Sequence, residues 1–534
     1  MTKRPLPDPV AAAPGPEHLR VSGPARPALM HRIARVRQFL EDVLFAPAPG
    51  LRARAAGMAV LLVLFGVGVV HWIVFFNFGN LTFRSADWPK EYLYFSVLQQ
   101  AVSTGTVPYH VDQALQSTQR FLALPETAKS PQILLLPFMD IGDFVVVNTL
   151  IAYAIGFWGC LLIRRRYTLS LVSFAVLFLL FHFNGYITAH LATGHSMWNG
   201  YFLMPFYCYY VLRLCETTTE SAASDARVPL ALALTLFVMN LQGAFHMYVW
   251  NVLFLGLLAA FNTRLARPIA VAVAYSALLS AFIILPAAIT YWNFAAAEPF
   301  FTGYPSVGVL IEAFVYIRRF DIDTAPATGL VADVGWWEYD MFIGVLPFVA
   351  LLYLGVWLRW STPATLAGAL RGTEYRPLDW PMAVMSVLSM SAFYAVVTFL
   401  PIPLLNSERV PSRFLITPFL FLLIVSCIRF DRVLAAWGGA WVRAPLSPVK
   451  WLIVVGLAQI GFELASHSKA WSVDKWPIEF FEGEVDFNIS IVQQTDPLYE
   501  LTVQGSLALA LATLAVLIYR YSRSTVVRAH PDSP

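Results

Sequence analysis

Apolar stretches of about twenty residues, the length that crosses a bilayer as a helix, recur along almost the whole chain. In hydrocarbon every backbone N–H and C=O must find its partner inside the protein, which leaves only helices and closed barrels. A barrel would read as short segments of alternating hydrophobicity. Here the apolar runs are long and unbroken, so the sequence predicts an all-α polytopic membrane protein. Composition agrees, with 58% of the 534 residues hydrophobic and only 13% charged.

Twelve spans are expected, at about 55–77, 132–162, 168–187, 197–213, 228–241, 244–260, 268–290, 341–359, 380–400, 412–429, 450–465 and 502–520. The second run is too long for one perpendicular crossing. Pro137, Gly142, Asp140 and Asp143 make its first third a tilted or re-entrant segment kept away from lipid. The pair at 228–260 is short and joined by a tight turn. Arginines orient the thread: Arg164 to Arg166, Arg264 and Arg267, Arg359, Arg371 and Arg376, Arg429 and Arg432, and Arg520 all fall in one set of short loops. By the positive-inside rule that side is the cytoplasm, with both termini on it, as in a bacterial inner-membrane protein.

The domain reading follows. Residues 1–26 form a disordered cytoplasmic N-terminus, rich in Pro and Ala. Residues 27–54 form an amphipathic or linker helix, residues 55–520 the transmembrane domain, and residues 521–534 a cytoplasmic tail. Long acidic loops at 78–131, 291–340 and 466–501 face outward. The first is expected to carry an interfacial helix over 87–104, with Pro89 in its first turn and Asp87 as its cap. The alternation Phe487-Asn488-Ile489-Ser490-Ile491 predicts one short strand in the last. The net charge of +3 says little about partners, because the signs are sorted by compartment. Cys160, Cys208, Cys215 and Cys427 lack metal-ligand spacing and read as packing residues. No nucleotide-binding motif, zinc-protease motif or nucleic-acid-binding basic patch is present.

The chemistry-bearing residues gather at the outer ends of the spans. Asp87 follows the first span, where a fixed carboxylate can act as a base or bind a cation. His190 and His195 lie in YITAHLATGHSMWN, and His246 lies just after Gln242-Gly243. Imidazoles there can contact an anionic ligand, hold a metal, or simply bond to neighbouring loops. Glu338 and Asp340, in WWEYDMFIG, can join Asp87 and Glu91 as acceptor or metal contacts, or can be a solvated helix start with Asp340 near its cap. Arg409 and Arg413, in SERVPSRF, can share a helical face and clamp a phosphate at a helix N-terminus; the alternative is ion pairing with outer acids.

This order of features resembles the GT-C superfamily of integral-membrane glycosyltransferases, in its poorly characterised bacterial branch. The resemblance runs from about residue 55 to 520 and is carried by the acidic first outer loop around Asp87, Gly194-His195 with Trp198-Asn199, WWEYDMFIG, and RVPSRF. The first loop departs from the family's usual acid pair, since Glu91 lies four positions after Asp87. The resemblance implies a GT-C-like helical bundle and a polyprenyl-phosphate-linked sugar as donor. It implies inverting transfer to a glycan or lipid acceptor outside the cytoplasm and, in some members, a divalent cation such as Mg²⁺ or Mn²⁺. With those roles Asp87 is the catalytic base, and Arg409, Arg413, His190, His195 and His246 hold the donor phosphate. Two other classes stay open: a lipid or polysaccharide transporter or flippase, and a non-catalytic subunit of a membrane assembly.

Overall fold

A computed structural model describes residues 25–46, 50–217, 227–292, 302–318, 335–373, 375–397, 399, 408–436, 444–475 and 487–529. The expected disorder of 1–26 falls almost wholly outside these residues, as do 530–534 of the expected tail.

Six described helices are long and apolar enough to cross a membrane: Leu51–Phe75, Ile141–Tyr167, Leu171–Ala192, Pro411–Ala436, Pro448–Trp471 and Pro497–Ser522. Two bent pairs raise the number to eight: Thr263–Leu279 with Ala281–Tyr291, and Val345–Trp360 with Ala364–Leu370. These helices are consistent with a multi-pass membrane protein, but the count falls short of the twelve spans expected. The difference has local causes. Arg227–Leu241 and Phe245–Phe261 have only 15 and 17 residues. The 197–213 run opens with a 3-10 segment, Ser196–Leu203, and 380–400 is interrupted between Leu388 and Ser391. The 132–162 run does break as expected: Pro131–Phe138 is 3-10, and the long helix starts at Ile141.

The helices are not equivalent. Leu171–Ala192 and Pro411–Ala436 are 89% and 83% buried over their apolar cores, whereas Leu51–Phe75 and Pro448–Trp471 are only 22% and 17% buried. The first two form the centre, and the others present apolar faces outward, as a lipid solvent permits. The centre is aromatic, with Phe157, Phe174, Phe178, Phe181 and Phe202 in one cluster. All four cysteines are buried and free. Around residues 27–54, one helix covers Ala25–Leu44 and the next begins at Leu51; Met30, Ile33, Val36 and Phe39 of the first are exposed.

The long loops pack onto one another. His110–Leu115 pairs antiparallel with Thr118–Arg120 and with Ile491–Val492, so the protein is not purely α-helical; the last strand overlaps the predicted 487–491 alternation only at Ile491. An ion pair between Arg120 Nη2 and Asp496 Oδ2 at 2.6 Å ties the first and last loops together. The helix Trp88–Thr104 forms as expected. Trp88, Glu91, Tyr94, Phe95, Val97 and Leu98 are buried, so one side of it packs into the protein.

Candidate functional site

The site begins with a chain reversal. The Gly185–Ala192 helix ends at Thr193, and Gly194 turns the chain at φ +89°. A Cβ at Gly194 would lie 2.7 Å from the Trp88 nitrogen, so a glycine lets the Asp87 turn dock here. Two hydrogen bonds hold the contact: Asp87 N–H donates to Thr193 O, and Trp88 Nε1–H to Ala192 O, each at 2.9 Å. Docking leaves Asp87 Oδ2 3.2 Å from His195 Nε2. The other nitrogen of His195, Nδ1, faces Nδ1 of His190 at 2.8 Å. One of those two nitrogens carries the proton and the other accepts it.

A second reversal builds the opposite wall. Gly243, at φ +81°, lies so close to the Glu126 carbonyl that a Cβ would be 2.2 Å from it. This sets Glu126 Oε1 3.3 Å from His246 Nε2, at the start of the Phe245–Phe261 helix. His246 Nδ1 lies 3.5 Å from Glu408 Oε2. Glu408 also accepts from Trp250 Nε1–H at 2.7 Å and Val410 N–H at 3.1 Å. Lys90, three residues after Asp87 on the same helical face, joins the walls: Nζ is 2.9 Å from Asp87 Oδ2 and 3.3 Å from Glu126 Oε2. Arg413 closes the far side by gripping Glu338, with its guanidinium over the Trp198 ring at 5.0 Å.

These side chains line a cavity of about 350 Å³, to which Gln116, Trp337 and Arg409 also contribute. Its four carboxylates differ in access. The Asp87 side chain is 43% exposed, against 16% for Glu126, 6% for Glu338 and 5% for Glu408. Each has one of the chain's own basic groups against it. Burial acts to raise the Asp87 carboxyl, but Lys90 and His195 outweigh it and hold the group well below the usual carboxylate range. Glu126 behaves alike, burial being outweighed by Lys90 and His246. For Glu408, burial is overcome by His246 and Arg413, which bring it to about 2. Lys90 is held well above its ordinary value: burial disfavours its charge, but Glu126, Asp87 and Glu91 favour it more.

Of the residues singled out by sequence, Asp87, His195, His246, Glu338, Arg409 and Arg413 line this one cavity, and His190 stands directly behind His195. The details correct several expectations. Asp87 occupies the cap position of its helix, but its side chain makes no cap hydrogen bond. Arg409 and Arg413 do not share an α-helical face, because Pro411–Leu415 is 3-10 and the α-helix starts at Ile416. Arg413 is committed to Glu338. Glu91 points away from the cavity into the protein, where it accepts from Ser196 Oγ–H. Asp340 caps no span, since that helix starts at Val345; it is buried, 3.0 Å from His467 Nε2, and accepts from Phe342 N–H. Glu91 and Asp340 are not among the described residues that line this cavity.

Lys90, Glu126 and Glu408 were not singled out by sequence. Glu126 looks like any loop acid, and Glu408 stands beside the more conspicuous Arg409. The only local signal is Lys90, set three residues from Asp87 in a predicted helix.

Of the expected divalent ions, Mg²⁺ favours converging oxygen ligands. Lys90 stands between Asp87 and Glu126, so those two carboxylates do not converge on one point. A different donor set is available: His190, His195 and Glu338 are buried, and one ligand atom from each lies within 4.8 Å of the others, so they can hold a divalent ion. No protein-family model, curated protein or solved structure matches this chain.

Proposed function

We propose that this protein is a membrane glycosyltransferase that moves a sugar from a polyprenyl-phosphate donor to a glycan or lipid acceptor on the outer side of the membrane. The observation that carries the reading is the exposure of Asp87. Among the described cavity acids it is the one open enough to meet an incoming hydroxyl, and it is anchored from behind by His195.

In this reading the acceptor oxygen attacks the anomeric carbon, the C–O bond to phosphate breaks, and the hydroxyl proton passes to Asp87. A carboxylate held this far below its usual range is a weak base. It suits a loose transition state, in which the hydroxyl becomes acidic only as the new bond forms. Arg409, exposed at the cavity, takes the leaving phosphate. Arg413 contributes by positioning Glu338 and Trp198.

A transporter reading draws on the two bent helix pairs, with angles of 72° and 98°. Discontinuous helices in transporters hold the substrate. Here no residue of either pair lines the polar cavity, which favours chemistry at the outer mouth.

The test is transfer by the purified protein from a panel of polyprenyl-phosphate sugars, with Asp87→Asn and Arg409→Ala compared with wild type. Asp87→Asn is expected to lower turnover roughly 10²–10⁴-fold, the usual contribution of general acid–base catalysis, with donor binding nearly unchanged. Arg409→Ala is expected to weaken donor binding instead. Near-normal turnover by Asp87→Asn removes the base from this reading. Donor movement across vesicles without transfer would favour the transporter.

A further inference from the structure

We propose that His190, His195 and Glu338 form a binding site for a zinc-class transition-metal ion, Zn²⁺ in the first instance, in the wall of the cavity. The three side chains come from separate elements: the end of the Leu171–Ala192 span, the turn after Gly194, and the Trp336–Glu338 turn. Their relative exposures are 0%, 6% and 8%.

The strongest sign is the way the two imidazoles meet. His190 is fully buried, and its side chain's hydrogen-bonding contact is the Nδ1 of His195; its Nε2 is buried with no hydrogen-bond partner. Buried imidazoles ordinarily find a carbonyl or a carboxylate as partner, whereas here the Nδ1 of one ring faces the Nδ1 of the other. Two rings facing through the same nitrogen share a single proton. A metal ion replaces that proton and uses both lone pairs.

The surroundings fit a ligand set. Asp87 Oδ2 lies against His195 Nε2, leaving Nδ1 to bind; a carboxylate on the far nitrogen is the usual outer partner of a metal-ligating histidine. Arg413 fixes the Glu338 carboxylate from one side, and each of its oxygens retains a lone pair for an ion. Two nitrogens and one carboxylate suit zinc better than magnesium, which prefers an all-oxygen shell. Three protein ligands rather than four mark an open site, and both His195 and Glu338 line the cavity. Such an ion would supply Lewis-acid neutralisation of an anionic substrate oxygen. The nearby guanidinium of Arg413 opposes it, so affinity should be weaker than at a closed four-ligand zinc site.

Binding is read without any assay of transfer, so this inference and the proposed reaction can fail separately. The full-length protein, in detergent and stripped by chelator, is titrated with Zn²⁺ and with Co²⁺ as a spectroscopic probe. About one ion per chain should be retained, as a single mononuclear site requires, and excess Mg²⁺ should not displace it. Asp87→Asn should weaken Zn²⁺ binding about 10–100-fold, as loss of an outer-shell partner does, and His195→Gln should weaken it further. His190→Gln gives a second reading if it folds; His195→Gln, at the cavity surface, decides without it. Failure of wild type to retain Zn²⁺ overturns the proposal. So does retention that His195→Gln leaves unchanged, which would mark an adventitious surface ion.

Discussion

Arg413 and Glu338 meet through two contacts, Nε–H to Oε2 at 2.7 Å and Nη2–H to Oε1 at 2.6 Å. Both are buried, and the Ser412 hydroxyl donates to the Glu338 carbonyl at 2.6 Å. The pair fastens the start of a central span to the loop that carries Trp336 and Trp337. Removing either partner strands a buried charge, so Arg413→Ala and Glu338→Gln should each cost about 3–5 kcal/mol of stability. Arg413→Met combined with Glu338→Leu should cost much less than the sum of the two. Denaturant unfolding in detergent, run as a double-mutant cycle, measures this; two near-neutral single variants would make the pair incidental.

Lys90 controls the basicity of Asp87. With its ammonium 2.9 Å away, the Asp87 carboxyl stays ionised far into acid. Lys90→Met removes that support and lets burial raise the Asp87 pKa. If turnover requires ionised Asp87, the acidic limb of the pH–rate profile should move toward neutrality in this variant. An unmoved limb would separate Lys90 from the base.

Glu91 gives stability the opposite pH dependence. Burial pushes its carboxyl up to about 8, in spite of Lys90 and the Ser196 hydroxyl, and its Oε1 has no hydrogen-bond partner. The folded state therefore holds a proton that the unfolded chain has released above the ordinary glutamate range. The resulting stabilisation is fully present below the unfolded value near 4.5 and is lost as pH rises through about 8. Glu91→Gln should flatten this decline between acid and mildly alkaline pH. A wild-type profile that already lacks the decline would contradict a buried neutral Glu91.

The topology can be tested without background labelling, because all four native cysteines are buried. Ser117, Ser306 and Gln494 are exposed positions in the loops assigned outward. Cysteines there should react with an impermeant reagent in intact cells, while one at Arg165 should not. Labelling at Arg165 and not at the other three would invert the thread.

The membrane class was written in the sequence because lipid acts on each segment alone: a long apolar run must satisfy its own backbone, and a helix does so. The crowding of Asp87, the histidines and the arginines at the ends of spans was legible for a related reason. Polar groups at the ends of apolar spans stand out against their neighbours. Sidedness-sorted arginines supplied a thread, but not which apolar runs make full-length helices; breaks at Ser389 and Met139 depend on packing.

Tertiary structure alone decided the partnerships. Asp87 and Glu91 lie four residues apart with like charges, yet one opens to a cavity and the other is sealed in the protein. Helix rotation and the docking of the Gly194 turn determine which is which. Glu126 and Glu408 become site residues only because His246 stands between them, brought there from distant segments of the chain. Arg413 reads as a phosphate clamp until Glu338 is found against it. Charge type and depth are local and travel with the residue; which opposite charge it meets is a property of the folded chain.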